Sequence, residues 1–432
     1  MAERRHIVIV GGGIIGCTTA YYLTRHPKFD RALHCVTILE AAPAVAAGAS
    51  GRAGGLLGLW AYPACLVPLS FRLHAELAAE HDGARRWGYR RLACGTVRAD
   101  VTRRRLDELH HLAAPASSEP AVAAGSRPWE SLPKQDAAAA AMLESADLPP
   151  ELDWIDGASV IDWEEMGDEE TAETAQVHPL HLTTSIAELA QRAGVELRTL
   201  AKVTDVVSSK TGGVAALHYT DRRSGETKKL EGITDVVVAA GPWTGRLLPR
   251  SKVEGLRAHS VVYESDVSPF AVFTDIRLPS DFVPEHRARR GQKRMHRGSV
   301  DPEMYARPFG EVYACGEPDS AVPLPETADE VQCDEAQCDD ILSYIATISP
   351  VLGAAPVKAK QACYLPRHMR FGQESGPLLG RTTVPGLWVA AGHTCWGIQN
   401  GPATGKLMSE LLFDGVATSA DVEKLDPTRF KV

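Results

Sequence analysis

The motif Gly11-x-Gly13-x-x-Gly16 constrains the fold of this chain more than any other feature of its sequence. A short run of apolar and β-branched residues precedes it at positions 6–10, which is typical of a buried parallel strand. The segment that follows it, residues 14–26, has apolar residues at helical spacing. The motif therefore follows a predicted strand and opens a predicted helix.

An acidic residue at the end of the next strand completes the pattern. Residues 34–40 form a second apolar run, and its last residue is Glu40. In such a βαβ unit, Gly11 makes the tight turn, Gly13 lets the backbone approach a pyrophosphate, and Gly16 packs the helix against the strand. The helix N-terminus faces the phosphates, and Glu40 can bind a ribose with a free 2′-OH. The pattern favours a dinucleotide site over a tight turn without a ligand, and it leaves both FAD and NAD open.

The composition argues against several other classes of protein. Acidic residues (55) exceed basic residues (46), and the formal net charge of -9 argues against a general nucleic-acid binder. We expect no membrane span, because no run approaches roughly 18 consecutive apolar residues. We also expect no signal peptide. The nine cysteines are scattered, and Cys333 and Cys338 lack neighbouring ligands that would complete a zinc site. We therefore expect a reduced, cytoplasmic protein without a bound metal.

Three further segments lead to predictions outside this motif. Residues 113–150 are rich in Ala, Pro and Ser and are expected to form a surface excursion. The basic segment 286–297 indicates a solvated loop or, alternatively, a patch for an anionic partner, and the acidic segment 326–340 could neutralise it. Residues 402–412 are predicted to form a closing helix that starts at Pro402, since proline is favoured in first turns.

A family resemblance distinguishes FAD from NAD. The segment Gly48-Ala49-Ser50-Gly51-Arg52-Ala53-Gly54-Gly55-Leu56-Leu57 resembles the second flavin-contacting segment of the D-amino-acid oxidase family, which includes glycine and sarcosine oxidases. Residues 177–180, 235–243 and 386–405 also look like this family, in the family's order. The likeness is strongest to fungal FAD-dependent oxidoreductases, which share the sequence Ala-Gly-His-x-Cys-Trp-Gly-Ile found at 391–398.

The resemblance implies an α/β fold with two domains. A Rossmann-like FAD-binding domain would be discontinuous and comprise residues 1–90, 176–247 and 366–432. A second, mixed-sheet substrate domain would comprise residues 91–175 and 248–365.

The resemblance also implies which residues bind FAD. The glycine-rich segment at 48–57 would line the pyrophosphate and ribityl chain, and the backbone of Val203 would meet the adenine. Residues 393–398 would wrap the flavin at the N-terminus of the last helix, where partial positive charge stabilises an anionic reduced flavin. The predicted cofactor-binding residues are Gly11, Gly13, Ile14, Ile15, Gly16, Glu40, Ala41, Ala49, Ser50, Gly54, Gly55, Leu56, Val203, Gly241, His393, Thr394, Cys395, Trp396, Gly397 and Ile398.

The chain departs from the family at the expected substrate-binding arginine. Amino-acid oxidases that it resembles carry Leu-Arg-Pro just before the last strand, and the arginine binds the substrate carboxylate. Leu365 stands at that place here, and a leucine cannot form the bidentate pair. Arg367 and Arg307 are the candidates to replace it. A neutral or cationic amine is therefore expected more than a simple α-amino acid.

Two residues are candidates for catalysis. Cys363 matches the cysteine that holds the flavin covalently in the sarcosine-oxidase branch, although a buried thiol is often inert. His393 could act electrostatically beside the flavin, or it could be an ordered turn residue bonded to the backbone. Trp243 and Trp396 are expected to be packing residues, although an aromatic face would suit an amine cation.

The resemblance implies an FAD-dependent amine or amino-acid oxidase or dehydrogenase. Such an enzyme oxidises the C–N bond of a small-molecule amine by hydride transfer to flavin, and the electrons pass to O2 or another acceptor. The missing arginine and the charged region 280–340 suggest a second hypothesis. In that case, the chain is an FAD-stabilised scaffold or trafficking adaptor with little turnover.

Overall fold

The computed structural model describes residues 4–113, 148–168, 173–209, 212–294, 296 and 298–432. These residues form a mixed α/β structure with four sheets. Most of the predicted surface excursion, residues 113–150, lies outside the described residues. No helix in these ranges is both long enough and apolar enough to cross a membrane.

The glycine motif belongs to a six-stranded sheet. Five of its strands run parallel to one another, and the edge strand Leu378–Arg381 runs antiparallel to its neighbour. In spatial order the strands are β20 (Leu378–Arg381), β21 (Leu387–Ala391), β12 (Asp235–Val238), β1 (Arg5–Val10), β2 (His34–Leu39) and β8 (Glu196–Arg198). The predicted runs at 6–10 and 34–40 are thus confirmed as neighbouring parallel strands.

Alternate residues of β1 face different layers. Ile7 and Ile9 pack against helices, whereas Val8 and Val10 pack against a three-stranded antiparallel sheet. The helices are α1 (Ile14–Arg25), α3 (Val67–Glu80), α6 (Pro179–Arg192) and α11 (Gly397–Asp414). The antiparallel strands are β9 (Ala201–Ser208), β10 (Val214–Asp221) and β11 (Glu226–Glu231). Burial on both faces explains why β1 reads as a continuous apolar run.

A nine-stranded sheet forms the second unit. It is mixed, as predicted, because β14 and β5 pair in parallel and the other neighbours pair antiparallel. In order the strands are β19 (Gln373–Ser375), β18 (Val357–Arg370), β13 (Val253–Glu264), β17 (Glu311–Cys315), β16 (Glu303–Arg307), β14 (Phe270–Arg277), β5 (Ala93–Asp100) and β6 (Val160–Glu165), with β15 (Ser299–Val300) beside β14. The domain boundaries remain a prediction, and β18 runs through the one placed at residues 365 and 366.

Smaller elements complete the described structure. A three-stranded sheet contains β3 (Leu56–Gly58), β7 (Thr174–Gln176) and β4 (Arg90–Arg91). The remaining helices are α2 (Ala49–Arg52), α4 (Gly83–Trp87), α5 (Arg103–Ala113), α7 (Thr244–Leu247), α8 (Glu285–Ala288), α9 (Glu335–Ile345) and α10 (Pro350–Ala354).

The closing helix begins earlier than predicted, since α11 starts at Gly397 and Pro402 lies inside it. A proline there leaves the carbonyl of Ile398 without its usual helical donor. The imidazole Nε2 of His74 takes that place, 3.0 Å from the Ile398 oxygen and 3.2 Å from that of Gln399. A side chain from α3 thus stabilises the first turns of α11.

The basic segment 286–297 is not simply a solvated loop. Arg287 is buried, and its Nε donates to Oδ1 of Asp340 over 2.6 Å. This ion pair raises the pKa of Arg287. The acidic segment therefore does neutralise part of the basic one, as predicted, but through an internal contact.

Candidate cofactor and substrate cavity

A cavity of about 840 Å³ lies where the parallel strands end. Its lining includes the residues that directly follow β1, β2, β12 and β21, which is where open α/β sheets bind ligands. Every predicted cofactor residue except Gly16 lines this cavity, and so does Cys363. Segments far apart in the sequence thus meet in one space.

The three motif glycines serve different purposes. A Cβ on Gly11 would lie 2.4 Å from the carbonyl oxygen of Ala239, and one on Gly16 would lie 2.0 Å from that of Gly11. Internal packing therefore demands both. Gly13 has φ -79° and ψ 179°, which any residue adopts, and its Cβ would meet only Ser50, with Oγ at 3.1 Å. Its lack of a side chain leaves room on the cavity side instead.

Glu40 is held in place by backbone groups. Its Oε2 accepts the N–H of Gly12 over 2.6 Å, and its Oε1 accepts the N–H of Ala42 over 2.7 Å. Burial raises the pKa of Glu40, and these hydrogen bonds oppose the rise. The carboxylate is thus fixed at the end of β2 on the cavity wall, where it can meet a ribose diol.

The segment 393–398 forms the wall at the start of α11. His393 is buried, and its Nε2 lies 3.0 Å from Oγ1 of Thr404, so its partner is a side chain, not the backbone. Burial lowers the pKa of His393 to about 3. The imidazole is therefore neutral at physiological pH. Thr394 to Trp396 form a 3-10 turn that leads into α11, and the first two residues of this helix, Gly397 and Ile398, line the cavity.

Two residues of β18 also line the cavity. Cys363 and Leu365 are two residues apart and both contribute to the cavity. Burial raises the pKa of the Cys363 thiol to about 11, so the neutral thiol predominates at physiological pH. Leu365 presents an aliphatic group where the resembled amino-acid oxidases have an arginine.

Neither arginine proposed to replace that group lines the cavity. Arg367 donates to Oε1 of Glu254 over 2.8 Å. Arg307 is buried and pairs with Glu311, and its Nη2 lies 3.1 Å from Nε2 of His178. Both predictions are wrong, because neither side chain lines the cavity and the two guanidinium groups pair with Glu311 and Glu254 instead.

A row of aromatic rings lines the cavity and was not predicted from the sequence. The centroid of Trp60 lies 5.6 Å from that of Trp396 and 5.9 Å from that of Phe273. Phe273 is 5.9 Å from Tyr305, which stacks on Tyr313 at 5.8 Å. Four of these rings come from regions without a recognisable motif, so no signal in the sequence singled them out.

Glu303 also lines the cavity and was not predicted from the sequence. Its Oε2 accepts a hydrogen bond from the hydroxyl of Tyr305, and Sγ of Cys315 lies 3.6 Å from the same oxygen. Burial raises the pKa of Glu303. In the described ranges, the lysine and arginine that line the cavity are Lys202 and Arg246. Both form ion pairs with Glu326 and not with Glu303.

The described residues contain no group of three or more His, Cys, Asp or Glu side chains suited to hold a metal. The sulfurs of Cys333 and Cys338 lie 3.4 Å apart.

The geometry fits FAD. The open space at Gly13, the N-terminus of α1 and the fixed carboxylate of Glu40 provide for an adenosine diphosphate. The same cavity continues to the start of α11 and the aromatic wall, where a flat ring system can be enclosed.

Comparisons with known proteins agree with this geometry. The sequence model of the family described as FAD dependent oxidoreductase, DAO, matches residues 6–411. The Saccharomyces cerevisiae protein TDA3, named as an oxidoreductase, is 36% identical over 98% of this chain and 94% of its own. Glycine oxidase from Geobacillus kaustophilus has a TM-score of 0.64 at 22% identity and covers 99% of each chain. L-proline dehydrogenase from P. horikoshii has a TM-score of 0.65 at 16% identity, covering 100% of this chain and 99% of its own.

The two solved structures share the fold, and the family model and TDA3 extend the likeness to sequence over nearly the full length. The chain belongs to the DAO family of FAD-dependent oxidoreductases.

Proposed function

We propose that this oxidoreductase dehydrogenates the C–N bond of a small amine that needs no α-carboxylate. Bound FAD supplies the two-electron oxidant. Loss of two electrons and two protons from a CH–NH unit gives an imine, which water hydrolyses to a carbonyl compound. The names of two structural neighbours, glycine oxidase and L-proline dehydrogenase, support an amino compound as substrate.

The observation that carries the proposal is that, among the described residues, no unpaired lysine or arginine lines the cavity. Leu365 lies there, and Arg307 and Arg367 are paired elsewhere. A substrate carboxylate would enter this apolar, partly acidic environment without the charge-assisted hydrogen bonds that normally hold it. An amine without a carboxylate avoids that cost.

The chain's own residues provide binding, orientation and exclusion of water. The predicted cofactor residues that line the cavity would hold FAD, with Gly13 and the start of α1 at the pyrophosphate. The aromatic side chains of Trp60, Phe273 and Trp396 would enclose the substrate on the other side of the flavin. His393 stays neutral there and would contribute a hydrogen-bonding group instead of a charge.

Anaerobic mixing of the purified, FAD-loaded protein with a panel of amines and amino acids tests the proposal. At least one amine should bleach the visible flavin absorbance faster than any α-amino acid does. Dithionite serves as the control, because it must bleach the flavin in every sample. If no amine in a broad panel bleaches a flavin that dithionite reduces, the scaffold hypothesis is favoured and the enzyme proposal fails.

A further inference from the structure

Glu303 is a half-buried acid on the cavity wall that has no basic partner among the described residues. Among the described residues, no lysine, arginine or histidine forms an ion pair with it, and both of its hydrogen bonds end on Oε2. Its Oε1 takes no hydrogen bond from any described residue, although the side chain stays partly accessible from the cavity. Burying a carboxylate without a counter-charge is costly, so a purely structural role does not account for it.

Aromatic side chains line the same cavity as this carboxylate. Glu303 and Tyr305 are two residues apart on β16 and therefore point to the same face. From Tyr305, the row of rings continues through Phe273 and Trp60 to Trp396. A carboxylate in a cavity lined by aromatic rings can attract an organic cation, because the carboxylate and the ring faces both offer negative potential.

The acid also lies close to the cofactor segments. The negative charge of Glu303 contributes to the raised pKa of Cys395, after burial as the main cause. A Cβ on Gly54 would lie 2.2 Å from the ring of Tyr305, so the glycine-rich segment 48–57 packs against that ring. A cation at Glu303 would therefore sit within the chamber that adjoins the flavin.

We propose that Glu303 binds a positively charged group of the substrate that is distinct from the nitrogen undergoing oxidation. This inference rests on the proposed function, and it narrows the substrate class to amines with a second cationic group. A nitrogen ion-paired with a carboxylate keeps its proton and lacks a free lone pair. A nitrogen that becomes an imine needs that lone pair, so the two roles fall on different nitrogens.

A pair of isosteric probes isolates the charge. The cation (2-hydroxyethyl)trimethylammonium and the neutral 3,3-dimethylbutan-1-ol have nearly the same shape, and their binding to FAD-loaded protein is measured from the visible difference spectrum. The cation should bind at least about tenfold more tightly to the wild type. In Glu303→Gln the ratio should fall to about one. Glu264→Gln, an exposed acid on the same large sheet, is the matched control and should keep the wild-type ratio.

Two outcomes would overturn the inference. One is a ratio of cation affinity to neutral-probe affinity that is equal in the wild type and Glu303→Gln. The other is that the wild type does not bind the cation. If Glu303→Gln purifies without FAD, the wild-type ratio alone decides, and a value near one refutes the inference.

Flavin bleaching separates this inference from the proposed function. Oxidation of 1,4-diaminobutane should be at least about tenfold faster, as kcat/KM, than that of n-pentylamine, and Glu303→Gln should remove the preference. Bleaching by amines without any charge preference would reject the role of Glu303 alone. A cation preference without bleaching by any amine would reject the oxidase proposal alone.

Discussion

Replacement of Gly13 by alanine separates the demands of the cofactor from those of the protein fold. The backbone at this position suits any residue, and the nearest atom to an added Cβ is Ser50 Oγ, at 3.1 Å. A glycine-to-alanine change at a compatible position stabilises a protein by about 0.4–1 kcal/mol through the unfolded state. The tight contact with Ser50 offsets part of this gain. The unfolding free energy of the FAD-free protein should therefore change by less than about 1 kcal/mol.

FAD binding should respond differently. The added methyl group would occupy the space through which the backbone approaches the pyrophosphate. We expect the dissociation constant of FAD to rise at least about tenfold, which corresponds to about 1.4 kcal/mol. Titration of the FAD-free protein with FAD, followed by quenching of flavin fluorescence, measures the constant. Urea denaturation of the same preparation measures stability.

Two further variants bracket this result. Gly16→Ala should lose stability itself, because its Cβ would lie 2.0 Å from the Gly11 carbonyl oxygen. Gly213→Ala lies off the cavity, its Cβ would be 3.4 Å from the Pro385 oxygen, and it should change neither quantity much. Wild-type FAD affinity in Gly13→Ala, or a loss of stability as large as that of Gly16→Ala, would refute the reasoning.

Further predictions concern stability and the flavin linkage. His74→Leu should lower the unfolding free energy by about 2 kcal/mol in urea denaturation, because the Ile398 carbonyl loses its donor. Burial lowers the pKa of His74 to about 4. The unfolding free energy of the wild type should therefore fall by up to about 1.4 kcal/mol per pH unit as pH drops from 6.5 towards 4. The variant should lack this pH-dependent loss. Arg287→Met should cost about 3 kcal/mol by removing the arginine partner of Asp340, and Arg287→Met with Asp340→Leu should regain most of it. If Cys363 holds the flavin covalently, acid precipitation should leave colour in the wild-type pellet but not in that of Cys363→Ala, whereas a colourless wild-type pellet excludes the linkage.

Local sequence patterns were sufficient to predict the first βαβ unit of the fold. The apolar run before Gly11, the helical spacing after it and the acid at Glu40 are all short-range features, and each determines one element. Pro402 shows the limit of such rules. Its place in a first turn was a sound local inference, but His74, distant in sequence, supplies the donor that allows α11 to begin earlier.

The substrate side could not be predicted because its residues meet only through sheet pairing. Glu303 faces Cys315 in the antiparallel register of β16 and β17, and Phe273 comes from the next strand. None of these residues lies in a motif. The errors at Arg307 and Arg367 have the same origin, since the acids that neutralise these arginines approach them only in the folded chain.

The charges around the cavity would allow one space to bind both an anionic cofactor and the cationic substrate proposed above. Helices α1 and α11 both begin at the cavity, so backbone N–H groups can stabilise negative charge at the pyrophosphate and at the flavin. Lys202 and Arg246 are paired with Glu326, and His393 is neutral. Since the negative charges of the cofactor need no basic side chain near the flavin, no such side chain repels a substrate cation. Among the described lining residues, Glu303 is then the acid that would select the charge of the proposed substrate.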